Sequence, residues 1–319
     1  MSKIAVIGSG IAGSVCAWAL STKGYSVTLF DKSRGVSGRS TSKRWDSIAI
    51  DMGVPYITNQ EWETLHPKIK KTIQDCIEPW ACKSNTNSTI STKKVYVAKP
   101  KMSRIARALT NGIALQSQQR IIGVEKKSDT WSLASESEQV FDGFHGLVIA
   151  VPCMQIPDIH GLPLGVYKAA KNVQAKAINT LLIETDSPLF DLDEYCFSDH
   201  PTIQRVIADY KKPYRDSNRF TYAVHSNMDW ATDTFDSLSK EAVETEIRKA
   251  LEQLWPISGT NILTTLMHRW KYAQVVDPIL PFCQTEAQDI VCCGDWCSGP
   301  SFVDAMNSGV VAAEAMFVT

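Results

Sequence analysis

KIAVIGSGIAGSVCAWALSTKGYSVTLFDKSRGVSGR, residues 3–39, decides the fold. A short apolar run rich in β-branched residues leads into Gly8, Gly10 and Gly13 at G-x-G-x-x-G spacing, which reads as a strand entering a tight turn and then a helix. Gly8 permits the turn, Gly10 lets the backbone approach a pyrophosphate, and Gly13 lets the helix lie close to the strand. The phosphates then meet the free N–H groups and positive dipole end of that helix. Three glycines alone are a weak signal. Here Ala17, Leu20, Gly24 and Val27 continue the pattern into a second strand that ends at Asp31, placed to accept hydrogen bonds from an adenosine ribose. The reading is a dinucleotide-binding unit rather than a coincidental strand, turn and helix.

Composition bounds what such a unit serves. At 319 residues, 44% hydrophobic and 21% charged, the chain has the make-up of a globular protein with room for two core-bearing lobes. A net charge of −1 without long basic blocks argues against nucleic acid or an anionic membrane as partner and for small molecules. No apolar stretch reaches membrane-spanning length and no leader precedes the first strand, so a cytoplasmic chain is expected. Nine scattered cysteines without zinc-type spacing read as reduced thiols, and no metal site is expected. Cys297 alone lies in a motif, as either a small buried hydrophobe or a reactive thiol.

A nicotinamide dinucleotide site is complete at Asp31, so the following turn, with Arg34, Gly38 and Arg39, needs another purpose. It is either a basic surface loop or a second set of contacts for a longer cofactor. The segment resembles the Arg-x-Gly-Gly-Arg signature of the flavin amine oxidase superfamily, with Ser37 in place of the first of two adjacent glycines. That resemblance implies FAD, with Asp51, Met52 and Gly53 of the following Asp-x-Gly segment near the flavin ring. Near the other end, Gly294 and Asp295 follow an apolar strand and precede a small-residue helix containing Gly309, Ala312 and Ala313. This resembles the C-terminal Gly-Asp segment of FAD-dependent oxidoreductases, which implies that Asp295 accepts hydrogen bonds from the ribityl hydroxyls. It also implies that the last helix aims its N-terminus at the flavin edge that gathers negative charge. The plainer alternative is that Asp295 caps that helix.

Between these motifs, residues 61–76 contain a helical stretch, residues 84–94 read as a polar loop, residues 102–109 as a helix, and IIGVEKKSDTWSLAS as a hairpin. GLVIAVP is a buried strand closing at Pro152. From residue 155, β-rich runs surround one amphipathic helix in SKEAVETEIRKALEQL. The fold expected is α/β: a Rossmann-type FAD-binding domain, discontinuous over 1–60, 95–154 and 275–319. An inserted α+β substrate domain, a mixed antiparallel sheet plus helices, covers 61–94 and 155–274.

Taken together, FDKSRGVSGR, DMGVPYIT, MSRIARAL, GLVIAVP, HRWKYAQV and GDWCSGP resemble the renalase family in order and rough spacing over the whole chain. The resemblance implies an oxidase of the 2-dihydro and 6-dihydro isomers of NAD(P)H, with hydride passing to flavin N5 and oxygen reduced to hydrogen peroxide. Aromatisation of the donor drives such a step, so the protein has chiefly to align the donor and stabilise charge. The FAD contacts it implies are Gly8, Gly10, Ile11, Ala12, Gly13, Asp31, Lys32, Arg34, Gly38 and Arg39, with Asp51, Met52, Gly53 and Ile121, and then Gly294, Asp295, Trp296, Phe302 and Val303. Non-covalent attachment is expected, since no cysteine or histidine matches an attachment motif. Tyr56, His268, Trp270 and Tyr272 are the candidate catalytic residues, the last three sharing one strand face by alternation, as pocket wall or as core and surface aromatics. Pro55, Lys101 and GPSFVD depart from the family pattern at the edge of the site. Two alternatives stand beside the renalase reading: a flavin-dependent oxidase or dehydrogenase of amines or other small metabolites, and an FAD-binding regulatory protein without turnover.

Overall fold

A computed structural model describes residues 1–45, 48–216, 218–255, 262–278, 284–285 and 287–316. Its centre is a parallel five-stranded sheet in the order Ile290–Cys292, Gly146–Ile149, Lys3–Ile7, Ser26–Asp31, Ala114–Ser117. The β-branched runs noted above fill its interior: Ile4, Val6, Leu29, Leu147, Val148 and Ile290 are fully buried. The connection from the first strand to the second is the helix Ile11–Thr22, whose buried side includes Val15, Cys16 and Leu20. Gly8 takes φ +103°, and a Cβ at Gly13 would lie 2.0 Å from the Gly8 carbonyl oxygen. The turn therefore closes only with glycine at both positions.

The last helix, Phe302–Ala315, packs on the first. Its contact point is Gly309, where a Cβ would stand 2.4 Å from the Ala12 carbonyl oxygen. A three-stranded antiparallel sheet of Ile121–Lys127, Thr130–Ser135 and Val140–Phe144 lies beside the nucleotide sheet, and Phe30 packs edge-on against Phe141 and Phe144. Residues of 153–171 also join this side, through Cys153, Ile156, Ile159 and Val166.

The second lobe is a mixed eight-stranded sheet: Ile262–Val275, Ala175–Thr185, Phe220–Ser226, Ile203–Ala208, Glu194–Cys196, Ile77–Thr86, Thr89–Ala98 and Ile57–Thr58. Neighbours are antiparallel except Glu194–Cys196 with Ile77–Thr86. The amphipathic helix Lys240–Leu254 covers its outer face with Val243, Ile247 and Leu251. A hairpin of Ser42–Trp45 and Ile48–Asp51 lies on the inner face, where Ile50 and Met52 meet Leu182 and Ala223. The strand Thr89–Ala98 runs past residue 95, so the chain leaves this sheet at Ala98.

Two local expectations change. Residues 84–94 are not a loop but the tip of the hairpin Ile77–Thr86/Thr89–Ala98, turned at Asn87 and Ser88, which take φ +47° and +69°. Two consecutive positive φ values are what a two-residue hairpin turn with right-handed strand twist requires. The alternation was hidden because inward positions carry Cys82 and Ser84 rather than large apolar side chains. The helical stretch expected in 61–76 is two helices, Asn59–Thr64 and Pro67–Ile73, separated where Pro67 bars helical backbone at the residue before it. Cys16, Cys76, Cys82, Cys153, Cys196 and Cys293 carry free thiols, and Cys283 lies outside the described residues. Among the described residues no helix is long and apolar enough to cross a membrane.

The packing of first helix on last gives a direct test. Gly309→Val drives a side chain into the Ala12 carbonyl and should destabilise by about 1–3 kcal/mol or more, the usual range for overpacking. Thermal unfolding of the variant reads this, and an unchanged melting temperature would contradict the contact.

Candidate functional site

A cavity of about 640 Å³ opens at the carboxyl ends of the parallel strands, a volume in the usual range for cofactor pockets. Gly8, Gly10, Ile11 and Ala12 of the first turn and helix line one wall. Asp31 and Lys32 close one end with Ile121, and Gly38 and Arg39 lie along the side. Gly294, Asp295 and Phe302 come from the far end of the chain. The opposite wall is the sheet-edge strand Ile262–Val275, through His268, Trp270 and Tyr272. Fifteen predicted residues therefore converge although they span most of the sequence.

The turn fits a pyrophosphate. Gly10 is the N-cap of the first helix with no side-chain cap and no acidic residue in the first turn, and a Cβ at Gly10 would meet nothing within 4 Å. Bare helical N–H groups thus face open space where phosphate oxygens can sit. Asp31 is anchored beside it: Oδ2 accepts from the Ser9 backbone N–H at 2.8 Å and its hydroxyl at 2.6 Å, and Oδ1 accepts from the Ser33 N–H at 2.7 Å. The carboxylate is held at the end of its strand, facing the cavity, with lone pairs left for ribose hydroxyls.

Arg39 and Asp295 form a two-pronged ion pair, Nη1 to Oδ2 at 2.6 Å and Nη2 to Oδ1 at 2.7 Å. Nη1 also donates to the Ala273 carbonyl at 3.1 Å, so one guanidinium joins the nucleotide turn, the Gly-Asp segment and the substrate-lobe strand. Burial alone pulls the Arg39 guanidinium down, and the Asp295 carboxylate more than offsets this, holding it above its ordinary value. Asp295 does not cap the last helix. Ser301 does, in a capping box: Asp304 N–H donates to Ser301 Oγ at 3.0 Å and Ser301 N–H to Asp304 Oδ2 at 3.1 Å. The pole expected to face the flavin edge thus already carries its own carboxylate. On the opposite wall the His268 and Trp270 rings meet edge to face at 4.1 Å, and Trp270 Nε1 donates to Thr180 Oγ1 at 3.2 Å. Burial, with Lys240 adding to it, lowers the His268 pKa, so the ring is neutral at pH 7.

Other predicted residues stand behind the wall or away from it. Gly13 packs on the Gly8 turn, and a Cβ at Gly53 would lie 1.8 Å from the Arg39 carbonyl oxygen, so Gly53 shapes the Arg39 turn. Arg34 is exposed outside the cavity. Trp296 and Val303 are fully buried, with Trp296 Nε1 donating to the Val151 carbonyl at 3.2 Å. Met52 packs in the apolar contact under the substrate sheet. Asp51 is drawn into a buried ion cluster, accepting from Lys212 at 2.9 Å and Arg215 at 2.5 Å, while Asp209 takes the other sides of both cations. Tyr56 lies off the cavity wall and donates its hydroxyl to Glu194 at 2.8 Å. Sequence reading missed Arg120 and Asp158, an ion pair of 3.0 Å on the cavity wall, and Pro152, which also lines the cavity. The signal available was adjacency: Arg120 precedes Ile121, and Pro152 ends the strand that runs into the site. Among the described residues no group of His, Cys, Asp or Glu is arranged to hold a metal ion.

Comparison with known proteins follows the same lines. Residues 6–67 match the NAD(P)-binding Rossmann-like domain, and residues 80–317 match the family described as flavin containing amine oxidoreductase. A 4,4'-diapophytoene desaturase of Staphylococcus aureus is 32% identical over 77 residues, 24% of this chain and 15% of the desaturase's own length. Cyclohexylamine oxidase from Brevibacterium oxydans IH-35A superposes with a TM-score of 0.77 at 10% identity, covering 99% of this chain and 98% of that one. The CLA-producing fatty acid isomerase from P. acnes does so with a TM-score of 0.76 at 10% identity, covering 99% of both chains. Likeness at this identity speaks for the fold alone.

The Asp51 cluster sets an acid limit. Burial raises the Asp51 pKa, but Lys212 and Arg215 outweigh it and hold the carboxyl below its ordinary value. A depressed carboxylate contributes stability that is fully present above the unfolded pKa of about 4 and is lost as pH falls through the folded value. Asp51→Asn should therefore destabilise at pH 7 by about 3–5 kcal/mol, the cost of leaving buried partners unmatched. Melting temperatures measured from pH 7 down to pH 3 should also fall less steeply in the variant than in the parent. Parallel profiles would remove Asp51 from this role.

Proposed function

The chain belongs to the flavin containing amine oxidoreductase family, and on that premise we propose that it is a renalase-like oxidase that oxidises the 2-dihydro and 6-dihydro isomers of NAD(P)H. When bound, non-covalent FAD supplies hydride acceptance at N5 and electron transfer to oxygen, giving hydrogen peroxide. The glycine turn and first helix hold the pyrophosphate, Asp31 the adenosine ribose, and Arg39 and Asp295 the middle of the cofactor. The eight-stranded sheet presents the substrate to it.

One observation supports this donor class above others: each carboxylate on the cavity wall is already engaged. Asp31 is bonded by Ser9 and Ser33, Asp158 by Arg120, and Asp295 by Arg39. Each is held by protein partners rather than standing as a free base beside the aromatic wall. A dihydropyridine becomes aromatic on losing hydride and asks for no base, only for a wall that aligns its reacting carbon. His268, Trp270 and Tyr272 offer a half-buried aromatic wall, the His268 and Trp270 rings set edge to face, with His268 contributing a neutral ring.

Anaerobic absorbance of the FAD-loaded protein tests the reading. The flavin bands should bleach on adding either isomer and return with peroxide when air is admitted. Because His268 is already neutral above its ordinary pKa of about 6.5, the bleaching rate should stay flat from pH 6.5 to 9, and His268→Asn should change it less than about tenfold, below the usual effect of removing a general base. Bleaching by a primary amine, with a rate that climbs with pH and no response to the isomers, would overturn the proposal in favour of amine oxidation.

A further inference from the structure

Tyr56, expected among the catalytic residues, belongs instead to a polar cluster on the inner face of the substrate sheet, and that cluster has the composition of a binding site. Glu194 is its centre and is fully buried. One oxygen accepts from Tyr56 at 2.8 Å and stands 3.2 Å from Arg205 Nε; the other accepts from Ser84 at 2.9 Å and Lys93 at 3.3 Å. Two cations thus share one carboxylate, an excess of one positive charge. Both cations remain accessible, Arg205 at 32% and Lys93 at 36% of the side chain, whereas the carboxylate beneath them is at 0%. Arg205 lies over the Tyr56 ring, 5.5 Å from its centroid, which fixes the plane of the guanidinium.

The cluster lies outside the cavity lining but on the same face of the sheet as the cavity wall. Opposed residues of neighbouring strands point to the same face, and here they run His268, Thr180, His225, Arg205, Cys196. Three strand spacings separate His268 from Arg205, about 14 Å at the usual interval. Along the row Thr180 and His225 are buried, and His225 Nε2 has no partner.

We propose that Arg205 and Lys93, oriented by Glu194 and Tyr56, form an anion site for the phosphoryl groups of a dinucleotide substrate whose reactive ring lies against Trp270. The proposal rests on the reading of the substrate as a dihydronicotinamide dinucleotide. The site is separate from the glycine turn, which the cofactor's own pyrophosphate fills.

Calorimetric titration of the FAD-loaded protein with inorganic pyrophosphate tests the site without turnover. The parent protein should bind one equivalent, and Arg205→Met and Lys93→Met should each weaken that binding at least about tenfold, the scale of one charge-assisted contact. Lys93→Met leaves Glu194 bonded by Tyr56, Ser84 and Arg205, so it decides the matter if the Arg205 variant does not fold. In turnover, both variants should raise KM for the dinucleotides at unchanged kcat, while the corresponding dihydronicotinamide nucleosides, which lack phosphate, react as with the parent. No pyrophosphate binding by the parent, or unaltered binding in both variants, overturns the site. Pyrophosphate binding that depends on Arg205 and Lys93 in a protein no isomer reduces would keep the site and overturn the substrate.

Discussion

The rest of the structure depends on a single guanidinium. Arg39 reaches Asp295 with two hydrogen bonds and the Ala273 carbonyl with a third, so it touches segments that stand more than 230 residues away in sequence. Such a contact forms only after both lobes are in place, and it then fixes where the strand carrying His268, Trp270 and Tyr272 lies relative to the glycine turn. Gly53 serves the same end from behind, since any side chain there would push the Arg39 backbone out of position. Charge and geometry agree here: a paired, half-buried Arg offers fixed direction, which an unpaired Lys on a flexible stem would not.

What was legible in the sequence was local. The turn after the first strand, the acid at the end of the second and the Gly-Asp pair near the far end each announce themselves within a few residues, because backbone geometry demands glycine there and strand ends demand particular side chains. Asp51 and Tyr56 were placed by proximity to such a motif, and their partners decided otherwise. Lys212 and Arg215 lie about 160 residues beyond Asp51, and Glu194 lies 138 beyond Tyr56. No local pattern reports a partner at that separation. The hairpin at 84–94 was missed for a different reason, since its inward positions are small or polar and satisfy a buried acid instead of filling a core.

The two lobes divide labour by architecture. The parallel sheet delivers glycine turns and a helix pole to one crevice, an arrangement that suits phosphates and little else. The mixed sheet delivers a broad face whose chemistry changes strand by strand, aromatic at its edge and cationic toward its middle. Relatives of this fold include an amine oxidase and a fatty acid isomerase.

The sheet order has a consequence for how the protein is made. The strand Ile290–Cys292 forms one border of the parallel sheet, and the helix after it closes on the first helix through Gly309. During synthesis the glycine turn is therefore one wall short until the last strand and helix, almost three hundred residues further on, have been made. A chain that stops before Gly294 lacks the wall that Gly294, Asp295 and Phe302 supply to the cavity.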